Sequence, residues 1–121
     1  MTDPTCETLV VHCMDYRLQK YLNEWLDKTP GSGNYDRIAI AGGVLDIYAV
    51  LRHIELAVRL HQIRKVVLIN HEDCGAYGST GTPERHKQDL LEAERKIHAL
   101  HMNLSVEKYY LKLNGAFERV Y

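Results

Sequence analysis

Two cysteines and one histidine stand where the fold could bring them together around a metal ion. His71 and Cys74 form the pattern H-x-x-C, so that a single loop can supply both ligands. Cys13 stands far earlier in the sequence, and only the fold can bring it to the same place. Zinc prefers thiolate and imidazole ligands, and three protein ligands leave a fourth position open, as in catalytic zinc sites. These residues therefore predict one Zn²⁺ per chain, bound by Cys13, His71 and Cys74.

An acidic and a basic residue follow the first cysteine in the pattern C-x-D-x-R. In an extended segment alternate residues face the same side, which would point Cys13, Asp15 and Arg17 at one site. A free Asp15 carboxylate could take the fourth position on zinc and close the site. A bidentate pair with Arg17 would instead hold that carboxylate beside the metal, where it can accept a hydrogen bond from zinc-bound water. We predict that Asp15 and Arg17 are catalytic, with a closed structural zinc site as the alternative.

Alternating strands and helices must position these residues. Short apolar, β-branched runs predict strands, and apolar residues at i, i+3, i+4 spacing predict helices. The predicted strands span 8–14, 37–41, 65–70, 106–113 and 117–121, and the predicted helices span 18–26, 47–61 and 83–101. Pro30 and Gly31 should end the first helix, Thr82 should cap the third, and Asn114-Gly115 should form a hairpin turn.

This alternation of strands and helices implies right-handed crossovers and a mainly parallel sheet. We predict a three-layer α/β/α fold with a four-stranded parallel sheet in the order 2-1-3-4 and a short antiparallel C-terminal extension. In such sheets, ligands bind beyond the carboxyl ends of the strands, where the strand order reverses. Cys13 and His71 follow the first and third strands, which are neighbours in this order, and Gly42-Gly43 follow the second.

Length and composition limit the classes of protein to which the chain can belong. With 121 residues, 26% charged and 45% hydrophobic, it is expected to form one globular domain over residues 1–121. A formal net charge of −1 gives no electrostatic reason to bind nucleic acid or an anionic membrane. No apolar run is long enough to span a membrane, and residues 1–8 lack the apolar core of a signal peptide. Three cysteines are too few for a disulfide framework, so we expect a cytoplasmic protein with reduced thiols.

Taken together, the motifs resemble those of the β-class carbonic anhydrases. C-x-D-x-R at 13–17, an Ala-Gly pair at 41–42 after a strand, and H-x-x-C-G-A at 71–76 occur in this order in that family. The segments 53–58, 65–70 and 109–117 are also similar to it, so the resemblance covers about residues 8–120. From the resemblance we expect a β-carbonic-anhydrase-like zinc domain without the family's N-terminal helical arm. Tyr16 stands where a serine is usual, and Gly43 stands where an asparagine is common.

The resemblance implies a role for each group of residues already singled out. The metal ligands are Cys13, His71 and Cys74, the gating and orienting pair is Asp15 and Arg17, and Gly42 and Gly43 let the backbone approach the substrate pocket. The implied reaction is the reversible hydration of CO2 to bicarbonate by a metal-bound hydroxide, in a homodimer or higher homo-oligomer. Since two thiolates already neutralise the charge of Zn²⁺, we expect the hydroxide to form at moderately alkaline pH.

Two other functions are compatible with the same residues. A related scaffold hydrolyses carbon disulfide or carbonyl sulfide, which needs the same hydroxide and a narrower, more apolar entrance. A non-catalytic binding module stabilised by zinc would instead keep Asp15 on the metal as a fourth ligand. A thiol-redox protein is less favoured, because the sequence contains no C-x-x-C pair.

Overall fold

One five-stranded sheet runs through the residues that the computed structural model describes, which are 3–121. Its strands are β1 (Thr8–His12), β2 (Tyr35–Ala39), β3 (Lys65–His71), β4 (Ser105–Leu111) and β5 (Phe117–Val120). Their order in the sheet is β2-β1-β3-β4-β5. The first four strands are parallel and β5 pairs antiparallel with β4. The predicted fold class, the order 2-1-3-4 and the antiparallel extension are confirmed.

Three helices cover the two faces of this sheet. They are α1 (Gln19–Leu26), α2 (Ile47–His61) and α3 (Pro83–Leu100). On one face α1 packs Leu22 and Leu26 against Val10 and Val67, which are paired across β1 and β3. On the other face α2 and α3 pack against the alternate residues of the same strands, so the fold has the three predicted layers. Within residues 3–121, no helix has both the length and the apolar character needed to cross a membrane.

The central strands have apolar middles, residues 9–11 and 66–69, and helices cover them on both sides. Every residue of β1 is buried, and every residue of β3 except Lys65 is buried. β2 is less buried than the central strands, and it lies at the edge of the sheet with one strand neighbour. In β2 only Ile38 is buried, while Arg37 and Ala39 are exposed. The strand also ends before Ile40, whose backbone turns towards Gly43.

The segment that follows β1 is not extended, which corrects the alternation expected for residues 13–17. The strand ends at His12, and Asp15 caps a 3₁₀ turn over Tyr16–Leu18. The cap forms because Asp15 Oδ1 accepts the backbone N–H of Arg17 at 2.9 Å. Asp15 and Arg17 therefore meet through a tight local turn and not through strand alternation.

Of the other predicted caps and helix ends, the cap at Thr82 is confirmed and the helix end at Pro30 is wrong. Thr82 caps α3 as predicted, with Oγ1 accepting the N–H of Arg85 at 3.1 Å and Pro83 in the first turn. Pro30 does not stop the first helical segment before its own position. It lies inside a wide turn, Asp27–Gly31, that extends α1 by π-type hydrogen bonding.

Candidate metal centre

The two cysteines and the histidine singled out in the sequence come together at the carboxyl ends of β1 and β3. Their ligand atoms, two Sγ and one imidazole nitrogen, all lie within 4.8 Å of one another. Cys13 follows β1 and His71 ends β3, and these strands are direct neighbours in the sheet. Cys74 approaches from the loop after β3. All three residues are buried, with exposures of 6%, 1% and 4% for Cys13, His71 and Cys74.

The imidazole of His71 is oriented for metal binding. Its Nδ1 lies 2.7 Å from the carbonyl oxygen of Glu72, which can only accept a hydrogen bond, so Nδ1 carries the proton. Its Nε2 therefore presents a lone pair, and this atom is buried without a hydrogen-bond partner among the described residues. An unpaired buried polar atom costs about 1–3 kcal/mol. A metal ion between the histidine and the two thiols would remove that cost, so the residues present fit such an ion.

Glu72 also fastens this part of the site to the β4–β5 hairpin. Its backbone N–H donates to the carbonyl oxygen of Leu111 at 2.9 Å. Its Oε1 accepts the N–H of Leu113 at 2.9 Å, and its Oε2 lies 3.1 Å from the ammonium of Lys112. The carbonyl that sets the proton position on His71 is therefore held by the hairpin.

The environments of the two thiols differ. Burial disfavours the Cys13 thiolate, but His71 and the backbone N–H of Gly42 outweigh burial and lower the pKa of Cys13 to about 7. The Gly42 N–H lies 3.4 Å from Cys13 Sγ. Burial raises the pKa of Cys74. For His71, burial opposes protonation, but Cys13 and the Glu72 carbonyl outweigh it and raise the pKa. Cys13 is thus the thiol that ionises more readily, which favours metal binding because the thiolate is the ligand form.

A carboxylate held by arginine lies beside the three ligands. Arg17 Nη2 lies 2.7 Å from Asp15 Oδ2, and Arg17 Nε lies 3.1 Å from Asp15 Oδ1. The same guanidinium donates to Asp73, at 3.1 Å to Oδ2 and 2.9 Å to the carbonyl oxygen. These hydrogen bonds from Arg17 lower the pKa of Asp15 to about 2, so its carboxylate is ionised at neutral pH. Asp15 Oδ2 remains 4.0 Å from His71 Nε2.

The two glycines after β2 have positive φ and lie close to this centre. Gly42 has φ +82° and Gly43 has φ +57°. Gly42 contacts Cys13 through the backbone hydrogen bond already described. Gly43 lies against the side chain of Asn70, and a Cβ at Gly43 would stand 2.6 Å from Asn70 Oδ1. The backbone at Gly43 can therefore pass this close to β3 because the residue lacks a side chain.

A buried polar network lies behind the ligand loop, and the sequence reasoning missed it. Asn70 Oδ1 accepts the N–H of Val44 at 3.2 Å, and Asn70 Nδ2 lies 3.1 Å from Tyr77 Oη and 2.9 Å from His86 Nδ1. The Tyr77 hydroxyl donates to Asp89 Oδ2 at 2.8 Å. Burial raises the pKa of Tyr77 and lowers the pKa of His86 to about 4, so both are neutral near pH 7. The network joins α3, the segment after β2 and the ligand loop.

Two of the residues that were missed carry a signal in the sequence. Asp73 lies inside the H-x-x-C motif, between two proposed ligands. An acidic residue at this position is a candidate ion-pair partner for Arg17, because both residues flank proposed ligands of the same site. Asn70 is the one polar residue at the end of the otherwise apolar run 66–70. Tyr77 and His86 show no spacing pattern that relates them to Asn70. Only the folded chain brings these side chains together.

Comparison with known proteins identifies a family for nearly the whole chain. A family model described as "Putative carbonic anhydrase" matches residues 4–121. A protein of Rickettsia bellii, described as uncharacterized, is 23% identical, with the match covering 94% of this chain and 81% of that protein. An uncharacterized protein of Rickettsia conorii is 26% identical, with 94% of this chain and 72% of that protein covered.

Several solved structures share the fold. A carbonic anhydrase from Glaciozyma antarctica has a TM-score of 0.74 at 18% identity, covering 100% of this chain and 85% of that protein. The apo form of a carbon disulfide hydrolase has a TM-score of 0.65 at 16% identity, with coverages of 93% and 77%. Structures described as tetrameric β-carbonic anhydrases from Sordaria macrospora give a TM-score of 0.58 at 17% identity, with coverages of 97% and 81%.

Proposed function

Because this chain belongs to the carbonic anhydrase-like family whose model matches residues 4–121, we propose that it catalyses the zinc-dependent, reversible hydration of CO2 to bicarbonate. One observation carries the proposal. Cys13, His71 and Cys74 form a buried ligand set in which His71 Nε2 has no hydrogen-bond partner among the described residues. Thiolate, thiolate and imidazole are ligands that Zn²⁺ prefers, and three of them leave the fourth position for chemistry.

The bound ion supplies a Lewis acid that lowers the pKa of water, and two thiolate ligands make this effect weaker than three histidines would. The chain's own residues hold that centre in place. The Glu72 carbonyl fixes the His71 proton on Nδ1, and the Gly42 N–H donates to Cys13 Sγ. Such partners orient metal ligands and are typically needed for full metal affinity.

We assign to Asp15 the task of accepting a hydrogen bond beside the metal. Its carboxylate is held on one side by Arg17, which is itself held by Asp73. This pairing keeps Asp15 out of the ligand set and keeps it ionised, so that it can orient a water molecule towards CO2. The closed alternative, in which Asp15 is a fourth ligand, requires the carboxylate to leave Arg17.

We propose that the backbone of Gly42 and Gly43 lines the substrate pocket. Gly42 contacts Cys13, and both glycines are buried at the carboxyl end of β2. CO2 is small and carries no net charge, so a pocket for it needs close backbone approach more than charged side chains. A Cβ at Gly42 would stand 2.8 Å from the Cβ of Leu45, and a Cβ at Gly43 would stand 2.6 Å from Asn70 Oδ1 near the end of β3.

The direct test is CO2 hydration by zinc-loaded protein, followed by stopped flow from about pH 6.5 to 9. We expect a rate that rises with pH across this range, because the two thiolates place the required ionisation at moderately alkaline pH. The titration does not belong to Asp15, whose pKa is about 2. Zinc-loaded protein that shows no hydration at any pH in this range would contradict the proposal.

The second candidate function is hydrolysis of carbon disulfide or carbonyl sulfide. The similarity in fold to a carbon disulfide hydrolase, at a TM-score of 0.65, favours this candidate over other reactions of the same metal centre. The same zinc-loaded preparation would then consume carbon disulfide and leave CO2 unchanged. A preparation inactive on both substrates would indicate a closed structural zinc site, with Asp15 on the metal.

We propose that the chain acts as a homodimer or a higher homo-oligomer. Four large hydrophobic residues are exposed in the segments after β1 and β2: Met14, Tyr16, Leu45 and Tyr48. Aromatic residues and methionine are enriched at protein–protein interfaces compared with the rest of a protein surface. Sedimentation equilibrium is expected to give an even multiple of the 14.0 kDa chain mass, and Tyr48→Glu is expected to lower that multiple. A monomer at all concentrations would contradict the proposal.

A further inference from the structure

A second group of side chains that could bind a metal lies near the amino ends of β1 and β2, at the end of the sheet opposite the first metal centre. Cys6 precedes β1, Asp36 is the second residue of β2, and His61 is the last residue of α2. A thiol sulfur, a carboxylate oxygen and an imidazole nitrogen from these residues all lie within 4.8 Å of one another. Cys6 and Cys13 flank β1 at its two ends, so the length of a strand separates the two groups by about 20 Å.

Backbone contacts hold the three residues in place. The Cys6 N–H donates to the His61 carbonyl oxygen at 3.1 Å, which ties the segment before β1 to the end of α2. Asp36 is paired with Leu9 in the register of β1 and β2. The Glu7 carbonyl oxygen accepts two further N–H groups from the start of β3, at 2.8 and 3.1 Å. Ordinary secondary structure therefore builds this group before any ligand is bound.

The side chains are half-buried and already interact. His61 Nδ1 lies 2.6 Å from Asp36 Oδ2, and the exposed fractions of these side chains are 33% and 29%. The Cys6 thiol points to the Thr8 carbonyl oxygen at 3.7 Å. A cleft of about 320 Å³ opens beside Cys6 and gives access from solvent. Its other lining residues are Thr5, Glu7, Asn34, Gln62 and Arg64.

We propose that Cys6, Asp36 and His61 form a second metal site, which binds Zn²⁺ or a divalent cation of similar ligand preference. One sulfur, one nitrogen and one oxygen are all ligands that zinc accepts, and three of them leave a position for water from the cleft. The ion takes the place of the proton shared by His61 and Asp36. In a tetrahedral site these two ligand atoms stand about 3.3 Å apart, so the half-exposed side chains need a small rotation from their present contact.

A thiol beside a histidine and an aspartate could instead be a nucleophile. Activation of a cysteine requires a lowered thiol pKa, usually through a nearby positive charge. Here burial raises the pKa of Cys6, and the Asp36 carboxylate adds to that effect. The aspartate faces the thiol as well as the histidine, which disfavours a reactive thiolate. A cation that neutralises the carboxylate and binds the sulfur fits this arrangement better.

The site would join three segments that are distant in sequence. The segment before β1, the edge strand β2 and the end of α2 would share one ion, in addition to their backbone contacts. Because an ion that binds the folded chain shifts the unfolding equilibrium, occupancy should raise the thermal stability of the protein. The inference does not depend on the proposed reaction, since none of the three residues belongs to the first metal centre.

The test is titration of metal-free, full-length protein with Co²⁺ and, separately, with Zn²⁺. The wild-type chain is expected to bind two ions, and the second is expected to produce its own thiolate-to-cobalt absorption. Cys6→Ser and His61→Gln should each lose the second binding event and keep the first. His53→Gln is the matched control, because His53 is exposed on the same helix, and it should keep both events.

Uptake of the first ion reports that each variant is folded. If Cys6→Ser loses both events, Cys6→Ala provides the same comparison with an apolar residue in the half-buried position. The second site is disproved if wild-type protein binds only one ion, or if the second event survives in both Cys6 and His61 variants. A chain that binds one ion and hydrates CO2 would disprove the second site and leave the proposed function intact.

Discussion

Replacing Cys74 with serine is expected to release the ion of the first metal centre and to abolish CO2 hydration. A serine hydroxyl is not ionised at neutral pH and is a much poorer zinc ligand than a thiolate. Cys74 is 4% exposed, so a serine hydroxyl would stand in a buried position where its ionisation is disfavoured. We expect the zinc content to fall by one ion per chain and the hydration rate to fall at least about 100-fold, which exceeds the loss typical for a partner outside the ligand set.

The same substitution is expected to reduce stability. Binding of an ion to the folded chain contributes about 3–4 kcal/mol when the free ion is 100–1,000 times its dissociation constant. Urea unfolding in the presence and absence of zinc measures this contribution directly. In Cys74→Ser the two unfolding curves should differ much less than in the wild type. Ser79→Ala, an exposed change in the same loop, is the control that should retain zinc, activity and stability.

Unchanged zinc content in Cys74→Ser would contradict the assignment of Cys74 as a ligand. Loss of zinc with full CO2 hydration would contradict the proposed function while leaving the ligand set intact. The experiment distinguishes an error in the ligand assignment from an error in the proposed function, because metal content and turnover are measured on the same preparation.

Removing the charge of Asp15 is expected to leave zinc in place and to reduce turnover by about 100-fold or more, the loss typical when one preorganised hydrogen-bonding group is removed from a catalytic site. The carboxylate is ionised and lies 4.0 Å from His71 Nε2, close to the ligands without being one of them. Asp15→Ala also removes the cap of the 3₁₀ turn, because Asp15 Oδ1 accepts the Arg17 N–H. That loss alone costs about 0.5–2 kcal/mol of stability.

Asp15→Asn separates the two roles of this residue. The asparagine oxygen can still accept the Arg17 N–H and cap the turn, while the negative charge is lost. If Asp15 acts on the reaction, Asp15→Asn and Asp15→Ala should lose similar amounts of turnover. Asp15→Asn should lose only the stability of the ion pair with Arg17, whereas Asp15→Ala should lose the cap as well. Asp73→Asn tests the ion pair between Arg17 and Asp73, whose exposed carboxylate lies 3.1 Å from Arg17 Nη1. It is expected to cause a smaller loss of turnover. Normal turnover in Asp15→Asn with zinc bound would overturn the role of Asp15.

The order of the sheet could be predicted from the sequence because its central strands are buried on both faces. The runs 9–11 and 66–69 are continuously apolar, and the three helices between strands show clear helical spacing. The burial of β2 was harder to predict, because a local sequence pattern does not show whether a strand lies at the edge or in the middle of a sheet. Its residues Arg37 and Ala39 face solvent, which the apolar run 38–41 does not indicate.

The proposed metal ligands could be predicted because their chemistry is unusual for a small protein interior. His71 and Cys74 share one motif, and the strand order brings Cys13 beside them. The geometry of Asp15 and Arg17 could not be predicted, because a local cap turned a segment that alternation treated as extended. The network of Asn70, Tyr77 and His86 depends on a helix packing over the ligand loop. No local pattern in the sequence encodes that contact.

The attachment of Glu72 to the C-terminal hairpin has a consequence for the order in which the protein matures. A chain is synthesised from its N-terminus, so Cys13 emerges well before the hairpin formed by β4 and β5. Until that hairpin pairs with β3, the Glu72 carbonyl is not held in place, and the proton position on His71 is not set. The proposed metal centre therefore reaches its final geometry only after the β4–β5 hairpin has been made and has joined the sheet, so capture of the ion follows that step.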